Sequence, residues 1–159
     1  MELKRLMKSP VLSCSPNDSL ESAARIMWEN DFGCLPVTDG EGRLVGMITD
    51  RDICMAAYLQ GGPLRTLYVG SAMAREVFSC RPEDTIDDCK TIMRAKQVRR
   101  LPVIDGEGGL IGIVSLSDLG QRARRDGQRQ KGAVTYGEVG ETLQAISKPR
   151  RAAPLATAA

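Results

Sequence analysis

At 159 residues, 42% hydrophobic, 26% charged and +2 in net charge at pH 7, the chain has the composition of one soluble globular domain and not of a disordered or fibrous protein. No apolar stretch approaches the roughly 18 residues that span a bilayer, and the opening Met1-Glu-Leu-Lys-Arg-Leu lacks the apolar run of a secretory signal, so no membrane partner and a cytoplasmic location are expected. The basic excess sits at the end: residues 1–120 carry 14 Lys/Arg against 17 Asp/Glu, and residues 121–159 carry 8 against 3.

From Met7 the chain repeats itself. Met7–Cys54 lies on Met73–Gly120 at a constant offset of 66 residues, with 18 of 48 positions identical. A unit of about 50 residues is too small to bury a core alone, so the copies are expected to pack on each other with pseudo-twofold symmetry. A cleft shared by two related halves is then a natural ligand site.

Each copy opens on a short β-prone run, Val11–Cys14 or Val77–Cys80, followed by a proline and an aspartate placed to cap a helix. Asp18 precedes Glu21 by three and Asp84 precedes Asp87 by three, the spacing of a capping box. Leu20, Ala23, Ala24 and Met27 then share a helical face, as do Ile86, Cys89 and Met93. Two strand-like runs follow, Cys34–Thr38 and Arg43–Thr49, joined through Asp39-Gly-Glu-Gly42. Their counterparts are Arg100–Ile104 and Leu110–Ser115, joined through Asp105-Gly-Glu-Gly108. A second helix starts near Thr49 or Ser115, and in the first copy Gly61-Gly-Pro63 breaks it after about Leu59. The predicted architecture is α/β (α+β), β-α-β-β-α twice: one unit over 1–60, a linker over 61–72 and a second unit over 73–126. Residues 127–159 read as a polar tail with a short helix over Glu138–Ser147, Val139, Leu143 and Ile146 on one side, and a disordered end after Pro149.

Function is most legible where a strand gives way to a helix, at Gly46-Met-Ile-Thr-Asp-Arg-Asp52 and Gly112-Ile-Val-Ser-Leu-Ser-Asp118. A hydroxyl at a helix N-terminus can bond the helix's own amides or bind a phosphate beside them. A carboxylate one turn on can accept from the two hydroxyls of a ribose. The glycine lets a ligand or a neighbouring backbone come close. Thr-x-x-Asp alone is also an ordinary N-cap, but here the pattern occurs twice in register, each time behind Leu-Pro-Val.

Leu35-Pro-Val37 with Gly46-x-x-Thr49-x-x-Asp52, and Leu101-Pro-Val103 with Gly112-x-x-Ser115-x-x-Asp118, resemble the CBS domain family, named for the module in cystathionine β-synthase; two tandem copies form a Bateman module. The resemblance covers residues 7–120. It implies two copies packed sheet to sheet around two clefts that often bind adenosine nucleotides such as AMP, ADP, ATP or S-adenosylmethionine, and homodimers that form a flat disc of four units. It also implies that Thr49 and Ser115 contact phosphate, that Asp52 and Asp118 hold ribose hydroxyls, and that apolar residues around Val11, Val77, Pro36 and Pro102 sandwich adenine. Ahead of Leu-Pro-Val the second copy carries Arg99-Arg100 where the first carries Gly33-Cys34. In the family, basic residues at this place reach ligand phosphates, even across the pseudo-twofold axis. Strand alternation turns one of the pair inward, and Arg100 is the residue favoured. Arg51 adds charge to the first site alone, so the clefts are expected to be unequal.

Catalysis is not expected: there is no histidine, Gly-x-Ser-x-Gly, Walker lysine loop or convergent carboxylate cluster. The five cysteines lack Cys-x-x-Cys spacing, which argues against a metal site and for free thiols. Gln121-Arg-Ala-Arg-Arg125 and Lys148-Pro-Arg-Arg151 lack interleaved aromatics and a nucleic-acid motif, which argues against nucleic acid. Two readings stay open. One is a nucleotide sensor acting through dimer shape or an effector protein; the other is a ligand-free, stress-related interaction module with degenerate clefts and redox-responsive thiols. Surplus apolar residues on the flanking helices (Ile26, Trp28, Ile53, Tyr58, Leu59) point to a homodimer.

Overall fold

Both Asp-Gly-Glu-Gly segments close as hairpins because their aspartates bind the backbone of the turn. Asp39 Oδ1 accepts from the amides of Glu41 and Arg43, each at 2.9 Å, and Asp105 Oδ1 does the same for Glu107 and Gly109 at 2.9 and 2.8 Å. The turns need a left-handed residue, supplied by Gly42 (φ 78°) and Gly108 (φ 86°). The computed structural model describes residues 2–126 and 133–149. In chain order it comprises α1 (Leu20–Glu29), β1 (Cys34–Thr38), β2 (Leu44–Thr49), α2 (Asp50–Gln60), α3 (Ile86–Lys96), β3 (Arg100–Ile104), β4 (Leu110–Ser115), α4 (Leu116–Asp126) and α5 (Tyr136–Ile146). β1 with β2 and β3 with β4 form two antiparallel sheets, with Cys34 opposite Thr49 and Arg100 opposite Ser115.

Two local expectations change. Val11–Cys14 and Val77–Cys80 make only single parallel bridges, Cys14 to Val37 and Cys80 to Val103. Cys14 donates to the Pro36 carbonyl at 3.1 Å and accepts from the Thr38 amide at 2.9 Å. The next rung would need an N–H from Pro36, which proline lacks, and Pro102 stops the second ladder in the same way. The helix caps, too, lie one residue later than Asp18 and Asp84. Ser19 caps α1 by accepting from the Ser22 amide, and Thr85 caps α3 in a capping box with Asp88. Asp18 and Asp84 are used earlier, accepting from the amides of Ser15 and Arg81 at 2.8 and 2.7 Å to close the preceding turns.

The two copies exchange their leading segments. Lys8 bridges Ile113 and Ala74 bridges Met47, pairs related by the 66-residue offset; Glu2 with Thr85 and Tyr68 with Ser19 repeat the relation. Leu3 is fully buried in the core of the second copy, where Leu6 and Met7 also pack, and Val69 and Met73 lie in the core of the first. The hairpin tips join as well, Leu44 donating to the Gly108 carbonyl and Leu110 to that of Gly42, both at 3.0 Å. These reciprocal contacts are the pseudo-twofold arrangement, and each copy completes the other's core.

Folded structure continues past residue 126. α5 packs on α3 and α4, burying Val134 and Ile146 in the second core. Lys90, 4% exposed, bonds Glu138 and Asp87, Arg94 donates to Thr142 Oγ1 at 2.9 Å, and Gln97 donates to the Lys148 carbonyl at 2.9 Å. The expected disordered end falls on residues 150–159, outside the described residues. The Lys90 hydrogen bond is the main reason the Glu138 carboxyl is held at about 2, below its ordinary 4.5. Because the folded value is depressed, this stabilisation is complete above about pH 4.5 and is lost as pH falls toward 2. It is on the order of 2 kcal/mol after allowance for partial exposure of the carboxylate. Glu138→Gln is therefore expected to speed amide exchange along α5 roughly tenfold or more at neutral pH. Unchanged protection would refute the anchoring role.

Candidate functional site

Each sheet delivers its last residue to a helix N-terminus. Thr49 ends β2 and caps α2: the Thr49 amide and hydroxyl donate to Asp52 Oδ2 at 2.9 and 2.7 Å, and the Asp52 amide returns a bond to Thr49 Oγ1 at 3.1 Å. Ser115 and Asp118 reproduce this at the start of α4, with Ser115 N at 2.8 Å from Asp118 Oδ2 and Asp118 N at 3.2 Å from Ser115 Oγ. The ordinary cap and the proposed ligand pair are thus the same residues. One carboxylate oxygen holds the helix, and the other decides what else the site can bind.

The copies differ at that second oxygen. Asp52 is half-buried, and its Oδ1 has no hydrogen-bond or ion-pair partner among the described residues. Asp118 is buried, and Lys8 Nζ stands 3.1 Å from its Oδ1. Lys8 arrives through the exchange of leading segments; its counterpart in the first copy is Ala74, which has no charge to offer. The motif glycines make room for those segments. A methyl group at Gly112 would meet Met7 Sδ at 2.6 Å and the Lys8 carbonyl at 3.3 Å, and one at Gly46 would meet Met73 Sδ at 2.7 Å and the Ala74 carbonyl at 3.1 Å. The space beside each glycine is filled by the other copy's leading segment, the methionine side chain first and the backbone carbonyl of the next residue behind it.

Arg100 starts β3 opposite Ser115, yet its guanidinium extends to the first copy, where a side chain at Gly33 would begin 3.8 Å from Nη1 and 3.5 Å from the Asp50 carboxylate. It lies beside Cys34, the residue opposite Thr49. Burial pushes the Cys34 thiol up, and the positive charge of Arg100 pulls against that shift. Arg99 and Arg100 also edge an open groove of about 680 Å³ with Ser115, Ser117 and Tyr136. Arg51 is exposed on the first turn of α2. Pro36 and Pro102 are buried, their carbonyls accepting from the Cys14 and Cys80 amides, while Val11 and Val77 are half-buried. Lys8 was not identifiable as a site residue from the repeat alone, although its mismatch with Ala74 marked a charge present in one copy only.

The CBS domain family model matches residues 3–58 and 69–121. The CBS domain-containing protein YhcV of Bacillus subtilis is 38% identical over 117 residues, which are 74% of this chain and 81% of YhcV. Among solved structures, the CBS domain pair of protein MJ0100 in complex with 5'-methylthioadenosine and S-adenosyl-L-methionine has a TM-score of 0.68 at 26% identity, over 76% of this chain and 98% of that one. CBSX2 in complex with AMP has a TM-score of 0.69 at 26% identity, over 79% and 97% of the two chains.

Proposed function

This chain belongs to the CBS domain family, and from that membership we propose that it is a homodimeric regulatory module that binds an adenosine nucleotide and passes the signal on through its shape or to an effector protein. The observation that carries the proposal is the pair of strand-to-helix turns, each with a hydroxyl and a carboxylate one turn apart, with Arg100 extending from one copy to the other. Thr49 and the α2 amides suit a phosphate, and the open oxygen of Asp52 suits a ribose hydroxyl. Arg100 supplies a guanidinium fork from across the axis, with Arg99 and Arg51 at the margin. Val11 and Pro36 line the first adenine slot, and Val77 and Pro102 the second. In the second cleft a ribose has to compete with Lys8 for Asp118, so the first cleft is the stronger site. A ligand alters a partner only through different affinities for two shapes of the module. AMP, ADP, ATP and S-adenosylmethionine, titrated one by one against the full chain, test the proposal. Saturable binding of at least one supports it, and no binding by any of the four contradicts it.

One observation favours the thiol-based reading. Cys80 Sγ and Cys89 Sγ lie 3.0 Å apart. Their bond to each other, followed by burial, pushes the Cys89 thiol up, and burial raises Cys14 to about 12, so these thiols are poor nucleophiles. Cys54 is exposed and the other four cysteines are buried. An alkylating reagent is therefore expected to modify Cys54 alone in the native protein. Modification of Cys80 or Cys89 at a matching rate would instead support the thiol-based reading.

A further inference from the structure

Each cleft has one carboxylate to offer a ribose, and the fold treats the two differently. Asp118 is 4% exposed and both its oxygens are taken: Oδ2 by the Ser115 amide and hydroxyl, Oδ1 by Lys8 Nζ at 3.1 Å. Asp52 has the same cap partners on Oδ2, but it is half-buried and its Oδ1 stays open. The difference traces to one position of the repeat. Lys8 and Ala74 stand 66 residues apart, and each is tied by two backbone bonds to the strand that leads to its carboxylate. Lys8 exchanges bonds with Ile113 at 2.8 and 3.1 Å, and Ala74 with Met47 at 2.8 and 3.0 Å. The backbone is thus alike in the two copies, and only the side chain changes, an ammonium group in one and a methyl group in the other.

We propose that Lys8 is a tethered plug that shuts the second cleft to a nucleotide's ribose, so that the module takes one nucleotide per chain and this side chain decides which cleft is used. The proposal rests on the nucleotide-binding reading above and deepens it from a difference in strength to a difference in occupancy. An ion pair with both partners in solvent would be a weak barrier. Here the carboxylate is buried, so withdrawing Lys8 strips a buried charge of its partner. A ribose hydroxyl is a neutral donor and brings no charge in exchange. The lysine is also part of the chain, and a tethered competitor acts at an effective concentration of about a millimolar. A nucleotide at micromolar levels competes poorly with it. Asp52 faces no such competitor, because Ala74 carries no donor on its side chain.

Exchanging the two side chains tests this. Lys8→Ala gives the second copy what the first already has at that place, and Ala74→Lys gives the first copy the plug. Both positions are exposed and both keep their backbone bonds, so the variants are expected to fold. Calorimetric titration of the full chain with AMP, carried to millimolar concentration, counts the sites. The expected result is one site on the unmodified chain, two on Lys8→Ala, and binding weakened at least roughly tenfold in Ala74→Lys. Two sites on the unmodified chain, or a single unchanged site on Lys8→Ala, overturns the plug and leaves the nucleotide reading intact. A site that appears only in Lys8→Ala supports the plug and overturns the preference for the first cleft. No AMP bound by any of the three chains overturns the plug and leaves the nucleotide reading to the other three ligands. Should Lys8→Ala fail to fold, Ala74→Lys decides alone, and unchanged binding there overturns the plug.

Discussion

Arg100→Ala is expected to weaken nucleotide binding by roughly ten- to a hundredfold while leaving adenosine binding unchanged. A charge-assisted bond contributes about 1.5–3 kcal/mol, which corresponds to that range of affinity. The residue starts in the second copy and its guanidinium reaches Gly33 and Cys34 of the first, next to the Thr49 turn. Arg100 is itself exposed, so its removal leaves no cavity and the fold is expected to persist. Adenosine lacks the phosphate and serves as the internal control. Calorimetry with AMP and adenosine on the variant checks this. An AMP affinity indifferent to Arg100, or an equal loss for adenosine, would rule out a phosphate contact from Arg100 across the axis.

Leu3→Ala is expected to cost about 2–5 kcal/mol of stability, the range for a buried leucine truncated in a core. The position of the damage is the informative part. Leu3 is fully buried, its amide donates to the Asp84 carbonyl at 2.9 Å, and its neighbours are the core of the second copy. Amide exchange should therefore quicken first in α3, β3 and β4, far along the chain from the substitution, with α1 and β1 less affected. Chemical denaturation gives the magnitude and amide exchange the location. A loss within about 0.5 kcal/mol, the level of an ordinary surface substitution, or damage centred on α1 and β1, would contradict the exchange of leading segments.

What could be read from the sequence follows the range of the interactions involved. β1, β3 and β4 begin and end where alternation and the Asp-Gly-Glu-Gly turns put them, because those signals act within a few residues. Thr49-x-x-Asp52 and Ser115-x-x-Asp118 were equally legible, being capping boxes closed within one helical turn. Asp18 misled because an aspartate beside a serine can close a turn or cap a helix, and here Ser19 takes the cap. Lys8 on Asp118 and Lys90 on Glu138 were not legible. The first pair joins residues 110 positions apart, the second depends on where α5 comes to rest, and no local spacing encodes either. The strand ladders at Cys14 and Cys80 were foreseeable in part, since the prolines that end them belong to the Leu-Pro-Val motif itself.

The proposed site holds an adenosine nucleotide in the first cleft through the free oxygen of Asp52, whereas Lys8 already occupies the corresponding oxygen of Asp118. Calorimetric titration of AMP into the full chain, Asp52→Ala and Asp118→Ala tests it most directly. The expected result is saturable binding to the unmodified chain, a large loss of affinity with Asp52→Ala and a smaller one with Asp118→Ala. No binding to the unmodified chain, or equal losses in the two variants, would contradict it.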